Sequence, residues 1–152
     1  GERVVDAADF FLGPMLTATA ADECLTEIDW PLWERGGLGC AFEEMAIRSG
    51  DFAMASAACQ LRVDSSGVCV QASFGLGAVG PTPLAFPAAA AQLVGQAITA
   101  TRAREIAVEV TRDLDTPGDI HADADYRRHL AAVLLQRAIE NAAADAARSS
   151  AV

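Results

Sequence analysis

The clearest hydrophobic pattern in the chain is an alternation of period two on both sides of the turn at residues 64–67. The apolar face of the first arm comprises Ala55, Ala57, Cys59, Leu61 and Val63. The apolar face of the second arm comprises Val68, Val70, Ala72, Phe74 and Leu76. Such alternation predicts an antiparallel hairpin with one covered face and one solvated face. The small residues on the covered face of the first arm indicate that helices pack closely there.

Two segments before this hairpin also have a strand pattern. Residues 24–30 alternate and stop at Pro31, which predicts a strand at a sheet edge. The pattern of residues 40–47 suits a strand or a helix, but the glycines before it and Phe42 within it favour a strand. That strand leads into a turn at residues 49–51.

The hydrophobic period changes after the Gly- and Pro-rich stretch at residues 75–87. Helices are predicted at 88–94 and 99–114, and a third helix begins after the N-cap Asp123. The predicted apolar stripe of this third helix comprises Tyr126, Leu130, Val133, Leu134, Arg137 and Ala138. From residue 146 onward the helix is expected to fray.

Together these elements predict an α+β fold, in which a three- to four-stranded antiparallel sheet is followed by three helices that pack on one face. A length of 152 residues fits one core. We expect a connecting segment at 1–22, the domain itself at 23–148 and a frayed tail at 149–152.

The charge balance excludes some classes of partner. A net charge of -10 at pH 7 argues against nucleic acids and anionic membranes, which require a basic surface. No apolar run approaches the roughly 20 residues of a membrane-spanning helix, and the first residues lack a signal peptide pattern. We therefore expect a soluble, cytoplasmic protein.

The cysteines are spaced too widely for a zinc motif. They are Cys24, Cys40, Cys59 and Cys69. In an acidic domain without a secretory signal, such thiols usually act as small buried hydrophobic residues. A disulfide or redox role is the less favoured alternative.

Two groups of side chains have the chemistry for catalysis. The densest charged group comprises Glu43, Glu44, Arg48 and Asp51, which could position an anion or tune a general acid. Tyr126 and His129 lie within one helical turn, where the imidazole could transfer protons. The favoured interpretation is structural in both cases, namely a turn at the end of a strand and a solvated helix face.

Several strings, in order along the chain, resemble those of the FAD-carrying medium subunit of molybdenum hydroxylases, the carbon monoxide dehydrogenase and xanthine dehydrogenase family. The strings are DFFLGPM at 9–15, ECLTEIDWP at 23–31, AFEEMAIRSGDFA at 41–53, GLGAVGPTP at 75–83 and ADYRRHL at 124–130. They resemble the C-terminal domain of that subunit and the passage that leads into it. The resemblance implies antiparallel strands followed by three helices, in agreement with the periodicity.

The resemblance also implies a role in electron transfer through FAD, beside a flavin-binding domain and molybdenum and iron–sulfur subunits. Trp30, Trp33 and Phe42 are then the residues expected next to the flavin. The main flavin-binding domain of the family has no counterpart here, and the GLGAVG stretch is followed by prolines instead of a helix. We therefore predict that the isolated chain binds no FAD and is inactive alone.

A second hypothesis is that the domain stands alone as a small-molecule binding protein, or as an enzyme of the cyclase or isomerase type, with a pocket between sheet and helices. A third hypothesis is an assembly module that docks on a partner subunit through its acidic surface.

Overall fold

The computed structural model describes residues 1–149. Its centre is a four-stranded antiparallel sheet of order β3-β4-β5-β6. The strands are β3 (Leu38–Met45), β4 (Ala55–Val63), β5 (Cys69–Gly77) and β6 (Leu84–Ala85). Three helices follow this sheet, which confirms the predicted α+β fold.

The helices after the sheet are α2 (Pro87–Ala91), α3 (Ala100–Thr111) and α4 (Ala124–Ser149). The Thr99 side chain accepts a hydrogen bond of 3.1 Å from the Arg102 backbone N–H and so caps α3. The predicted N-cap Asp123 is confirmed, since its Oδ1 accepts a hydrogen bond of 2.7 Å from the Tyr126 N–H. Each of these caps satisfies a backbone donor that the helix itself leaves unpaired.

The core lies between the helices and one face of the sheet. Helix α4 covers β3 and β4, α2 packs against β5, and α3 packs mainly on α4. The largest fully buried side chains include Leu61, Leu93, Ile106, Leu135 and Ile139. Close approach of α4 to the sheet requires Gly39, where a Cβ would overlap the backbone of Ala142 and Ala146.

The N-terminal segment has structure that the sequence pattern did not predict. A short helix α1 (Ala7–Phe10) is followed by a two-stranded hairpin of β1 (Phe11–Gly13) and β2 (Leu16–Thr17). The Arg3 guanidinium pairs with the Glu23 carboxylate at 2.7 Å, which closes this segment at its base.

The predicted strand at 24–30 is wrong. These residues have no regular secondary structure, and all of them are exposed. No other segment within residues 1–149 pairs with them as a strand. Alternation alone does not make a strand, because the backbone groups need a neighbouring strand to hydrogen-bond.

The predicted apolar face of the second hairpin arm is correct only for its later residues. Arg62 pairs with Gln71, but Val63 pairs with Cys69, so Val70 is an extra residue at a β-bulge. The bulge changes the side on which the preceding residues face. Cys69 is therefore fully buried, whereas Val68 and Val70 are half-buried.

The predicted stripe of α4 is rotated from the observed one. Tyr126 and Arg137 are exposed, and Val133 is half-buried. The buried positions are Arg127, Leu130, Ala131, Leu134, Leu135, Ala138, Ile139, Ala142 and Ala146. The stripe is wider than predicted because α4 contacts both the sheet and α3. Helix α4 also continues past residue 146 to Ser149, while the rest of the predicted frayed tail, 150–152, lies outside the described residues.

Candidate functional site: a groove on the uncovered sheet face

The face of the sheet that the helices leave uncovered forms the floor of a groove of about 730 Å³. Small residues of neighbouring strands meet on this floor. Ala58 of β4 lies opposite Gly75 of β5, and Gly75 lies opposite Ala85 of β6. Alternation along the strands places the floor residues on the opposite face from the core. Small side chains leave the backbone accessible to whatever enters the groove.

The walls of the groove come from two separate parts of the chain. Ala7, Ala8 and Phe11 contribute from the N-terminal segment, while Thr82 and Pro83 contribute from the turn before β6. The N-terminal segment and the sheet therefore build this site together.

The groove is uncharged and mostly apolar. Its lining contains no Asp, Glu, Lys or Arg side chain among the residues that the structure describes. Its polar side chains include Gln60, Ser73 and Thr82, and none of these three makes a hydrogen bond to another described residue. Their donors and acceptors are free for a ligand. This combination suits a flat, uncharged ring system with a polar edge.

Of the three residues predicted to lie next to a cofactor, Phe42 lines the groove. Its side chain is 64% exposed, so one side of the ring remains open for stacking. Trp30 is exposed and Trp33 is half-buried, and neither lines the groove. An ion pair of 3.2 Å between Glu34 and Arg62 ties the loop beside Trp33 to β4.

The charged group predicted from the sequence does not converge on one point. The Glu43 carboxylate accepts a hydrogen bond of 2.7 Å from the Asn141 side chain. Glu44, Arg48 and Asp51 are exposed and form no ion pair with another residue of the described chain. The Asp51 N–H donates to the Arg48 carbonyl oxygen at 3.1 Å, which closes the turn.

Tyr126 and His129 are exposed on α4, away from the groove. His129 lines a shallow depression of about 300 Å³ between α3 and α4, together with Arg112 and Arg128. The Arg128 side chain is already engaged, since it donates to the Leu114 carbonyl oxygen and to the Asp125 carboxylate. Tyr126 and His129 therefore lie on an open surface of α4.

The cysteines divide into two kinds. Cys59 and Cys69 are buried, which confirms the predicted role as small hydrophobic residues. Burial raises the pKa of the Cys59 thiol to about 12 and also raises the pKa of Cys69, so both stay protonated at neutral pH. For Cys24 and Cys40 the prediction of burial is wrong, because both are exposed, and Cys40 lines the groove.

A buried arginine joins three segments behind the sheet. The Arg127 side chain, only 8% exposed, donates a hydrogen bond of 2.7 Å to the Met54 carbonyl oxygen and pairs with Asp119. The pKa of Asp119 is lowered to about 2 by the N–H groups of His121 and Ala122 and then by Arg127. This network fixes the start of α4 and does not reach the groove.

Of the residues that line the groove, only Phe42 was predicted from the sequence as a site residue. The available signal was the small size of the side chains on the solvated face. Ala58, Ser73 and Gly75 are small at positions where a solvated sheet face usually carries longer polar side chains. The second hypothesis expects a pocket between sheet and helices; Leu61, Leu135 and Ile139 are fully buried in that interface.

Comparison with known proteins gives consistent matches along the chain. Residues 40–142 match the model of the CO dehydrogenase flavoprotein C-terminal domain. The carbon monoxide dehydrogenase medium chain of Afipia carboxidovorans is 40% identical over 147 residues, which are 96% of this chain and 50% of that protein. The nicotine 6-hydroxylase medium subunit of Paenarthrobacter nicotinovorans is 35% identical over 95% of this chain and 50% of that protein.

Solved structures agree with these matches. CO dehydrogenase from Oligotropha carboxidovorans superimposes with a TM-score of 0.86 at 36% identity, covering 94% of this chain and 49% of that one. Quinoline 2-oxidoreductase from Pseudomonas putida 86 gives a TM-score of 0.86 at 36% identity, with 95% and 49% covered.

The chain is an α+β domain with an antiparallel sheet that helices cover on one face and a neutral groove on the other, and it superimposes on chains of CO dehydrogenase and quinoline 2-oxidoreductase. The chain belongs to the CO dehydrogenase flavoprotein C-terminal domain family. It spans about half the length of the curated relatives that it matches. Within residues 1–149, no helix combines the length and the apolar character needed to cross a membrane.

Proposed function

We propose that this chain supplies one half of an FAD-carrying medium subunit in a molybdenum hydroxylase, and that its groove faces the flavin ring. The observation that carries the proposal is the match of 94–96% of the chain to half of several such subunits. The domain then acts beside a flavin-binding domain and the molybdenum and iron–sulfur subunits. Bound FAD supplies the redox chemistry of electron transfer.

The residues of the groove fit one part of FAD and not another. An uncharged ring system suits the neutral lining, with Phe42 as a stacking surface and Gln60 and Ser73 as hydrogen-bonding groups. The diphosphate does not fit, because no cationic side chain among the described residues lines the groove. We therefore infer that the diphosphate is held by residues outside this chain. The chain orients the ring and keeps water from one side of it.

A chimeric subunit tests this proposal. In the Afipia carboxidovorans medium chain, the half that matches this sequence is replaced by this chain. We expect the purified chimera to keep a flavin absorbance band through gel filtration, while this chain alone elutes colourless. A folded chimera without flavin would contradict the role in a medium subunit, and a flavin band on the isolated chain would contradict the missing diphosphate site.

Two phenylalanines of the chain give a matched control for the groove. Phe42 lines it, whereas Phe52 is fully exposed and does not. In the chimera, we expect Phe42→Ala to release FAD about fivefold faster, since one stacking contact contributes about 1 kcal/mol. Phe52→Ala should leave the release rate unchanged. Equal rates in both variants would place the flavin elsewhere.

A second candidate is a small-molecule binding protein that uses the same groove. It is favoured by the unpaired Gln60, Ser73 and Thr82 side chains, which are present in the chain without any partner domain. Thermal unfolding of the isolated chain with riboflavin, which lacks the diphosphate, distinguishes the candidates. A rise in the midpoint that Ala58→Leu abolishes would favour a binding role of the isolated domain.

A further inference from the structure

The outer edge of β3 carries backbone N–H and C=O groups that the ladder to β4 does not use, although the side chains of Cys40 and Phe42 line the groove. The Val63 N–H donates to the Gly37 carbonyl oxygen at 2.9 Å, so Gly37 directs its backbone toward β4. In an antiparallel ladder every second residue hydrogen-bonds to the neighbouring strand in this way. The backbone N–H and C=O groups of the residues between them point away from that strand. Cys40 is one of these outward residues, and its N–H donates to the Asp145 carboxylate at 3.1 Å.

The next outward residues along β3 are Phe42 and Glu44. Their N–H and C=O groups have no hydrogen-bond partner among residues 1–149, and both residues are exposed. The other edge of the sheet is only the two-residue strand β6. Long open edges pair readily with additional strands, and proteins usually protect them. Here Asp145 protects the edge at Cys40 and leaves the stretch 42–44 open.

A second copy of the chain fits this stretch poorly. A two-fold antiparallel register that uses both Phe42 and Glu44 places the Glu43 side chains of the two copies directly opposite each other. Like charges in that position destabilise a strand pair. The chain also carries a net charge of -10, which opposes its self-association.

We propose that the stretch 42–44 of β3 is a docking site for an extended strand of another protein, which pairs with it antiparallel. This strand carries two consecutive basic residues opposite Glu44 and Glu43, followed by an apolar residue opposite Phe42. The two carboxylates lie on opposite faces of the sheet because successive side chains alternate. Both N–H and both C=O groups of Phe42 and Glu44 are satisfied in this complex, which gives affinity, while the charge pairs give register.

A synthetic peptide provides a probe. The peptide Thr-Thr-Lys-Lys-Val-Thr-Thr is titrated against the chain, and binding is followed by fluorescence anisotropy with amide hydrogen exchange measured by NMR. Without peptide, we expect the amides of Phe42 and Glu44 to exchange fast, and those of Ala41 and Glu43 to be protected by the ladder to β4. Saturating peptide should slow exchange at Phe42 and Glu44 at least about tenfold. Protection at other residues instead would overturn the proposal.

Two substitutions at Glu44 separate the contribution of its backbone N–H from the contribution of its side-chain charge. Glu44→Pro removes an outward N–H without touching the ladder to β4, which an edge strand tolerates. We expect it to weaken peptide binding about tenfold, whereas Glu44→Gln keeps the N–H and should weaken binding about threefold, with a reduced dependence on salt. Circular dichroism of both variants checks the fold.

Three further results would reject the docking site. One is unchanged binding by a folded Glu44→Pro variant. Another is equal affinity for the peptide Thr-Thr-Glu-Glu-Val-Thr-Thr, which would remove the charge argument. The third is a dimer of the chain itself that Glu44→Pro dissociates, since this would mean that the edge pairs with a second copy.

Discussion

Ala57 and Ala58 are neighbours on β4, yet they lie on opposite faces of the sheet and in very different surroundings. Ala57 is 1% exposed under the helices, while Ala58 is exposed on the floor of the groove. A small side chain has a different consequence on each face. On the covered face a small residue lets α4 approach, and on the uncovered face it leaves room for something outside the domain. Residue size by itself therefore does not identify a site.

Packing on the covered face brings the backbones of β3 and α4 into contact, so we expect substitutions there to change stability more than substitutions on the uncovered face. We expect Gly39→Ala to lower the free energy of unfolding by about 3 kcal/mol or more, because the new Cβ would overlap the α4 backbone at Ala142 and Ala146. Urea unfolding at pH 7 measures the change. Gly36→Ala is the control, since nothing lies within 4 Å of a Cβ there and the expected change is within about 0.5 kcal/mol. Similar values for both variants would mean that α4 can shift away from β3 at little cost.

The pair Ala57 and Ala58 allows the same enlargement on either face. We expect Ala57→Leu to destabilise the domain by about 2 kcal/mol, since a packed core accepts extra methylene groups only with strain. Ala58→Leu should change stability by less than about 0.5 kcal/mol, because its side chain extends into the groove. Thermal unfolding compares the two. Equal destabilisation would contradict the assignment of an open face.

The sequence predicted the parts of the fold that local patterns determine. Strands β3, β4 and β5 and helices α2 to α4 were recognised, because their periodicity reflects burial against one layer. The segment 24–30 has the same alternation but lacks a partner strand, which no local pattern can reveal. The bulge at Val70 also escaped, since one extra residue changes which side chains face the core while leaving the composition of the strand unaltered.

The groove was harder to predict than the core. Its floor depends on three small residues from different strands that meet only through the register of the sheet. Its walls include Ala7, Ala8 and Phe11 from an N-terminal segment that is distant in sequence from the strands of the floor. Of the expected cofactor neighbours, Phe42 lines the groove because it faces away from the helices, whereas Trp30 and Trp33 lie in segments without regular structure.

The covered side of the domain also contains a charged pair, formed by Arg127 and Asp119. The pKa of Asp119 is about 2, below its ordinary value of 3.8. A lowered pKa contributes stability that is present above the ordinary value and is lost as the pH falls toward 2. We therefore expect Asp119→Asn to be less stable than the unmodified chain at pH 7, by an amount that shrinks between about pH 4 and pH 2.

Urea unfolding midpoints at pH 7, 4, 3 and 2 would follow this difference. Asp115→Asn serves as the control, since Asp115 lies in the same loop, is exposed and pairs with no cation of the described chain. It should track the unmodified chain at every pH. If the Asp119 difference persisted unchanged at pH 2, its origin would be the shape of the loop and not the charge that faces Arg127.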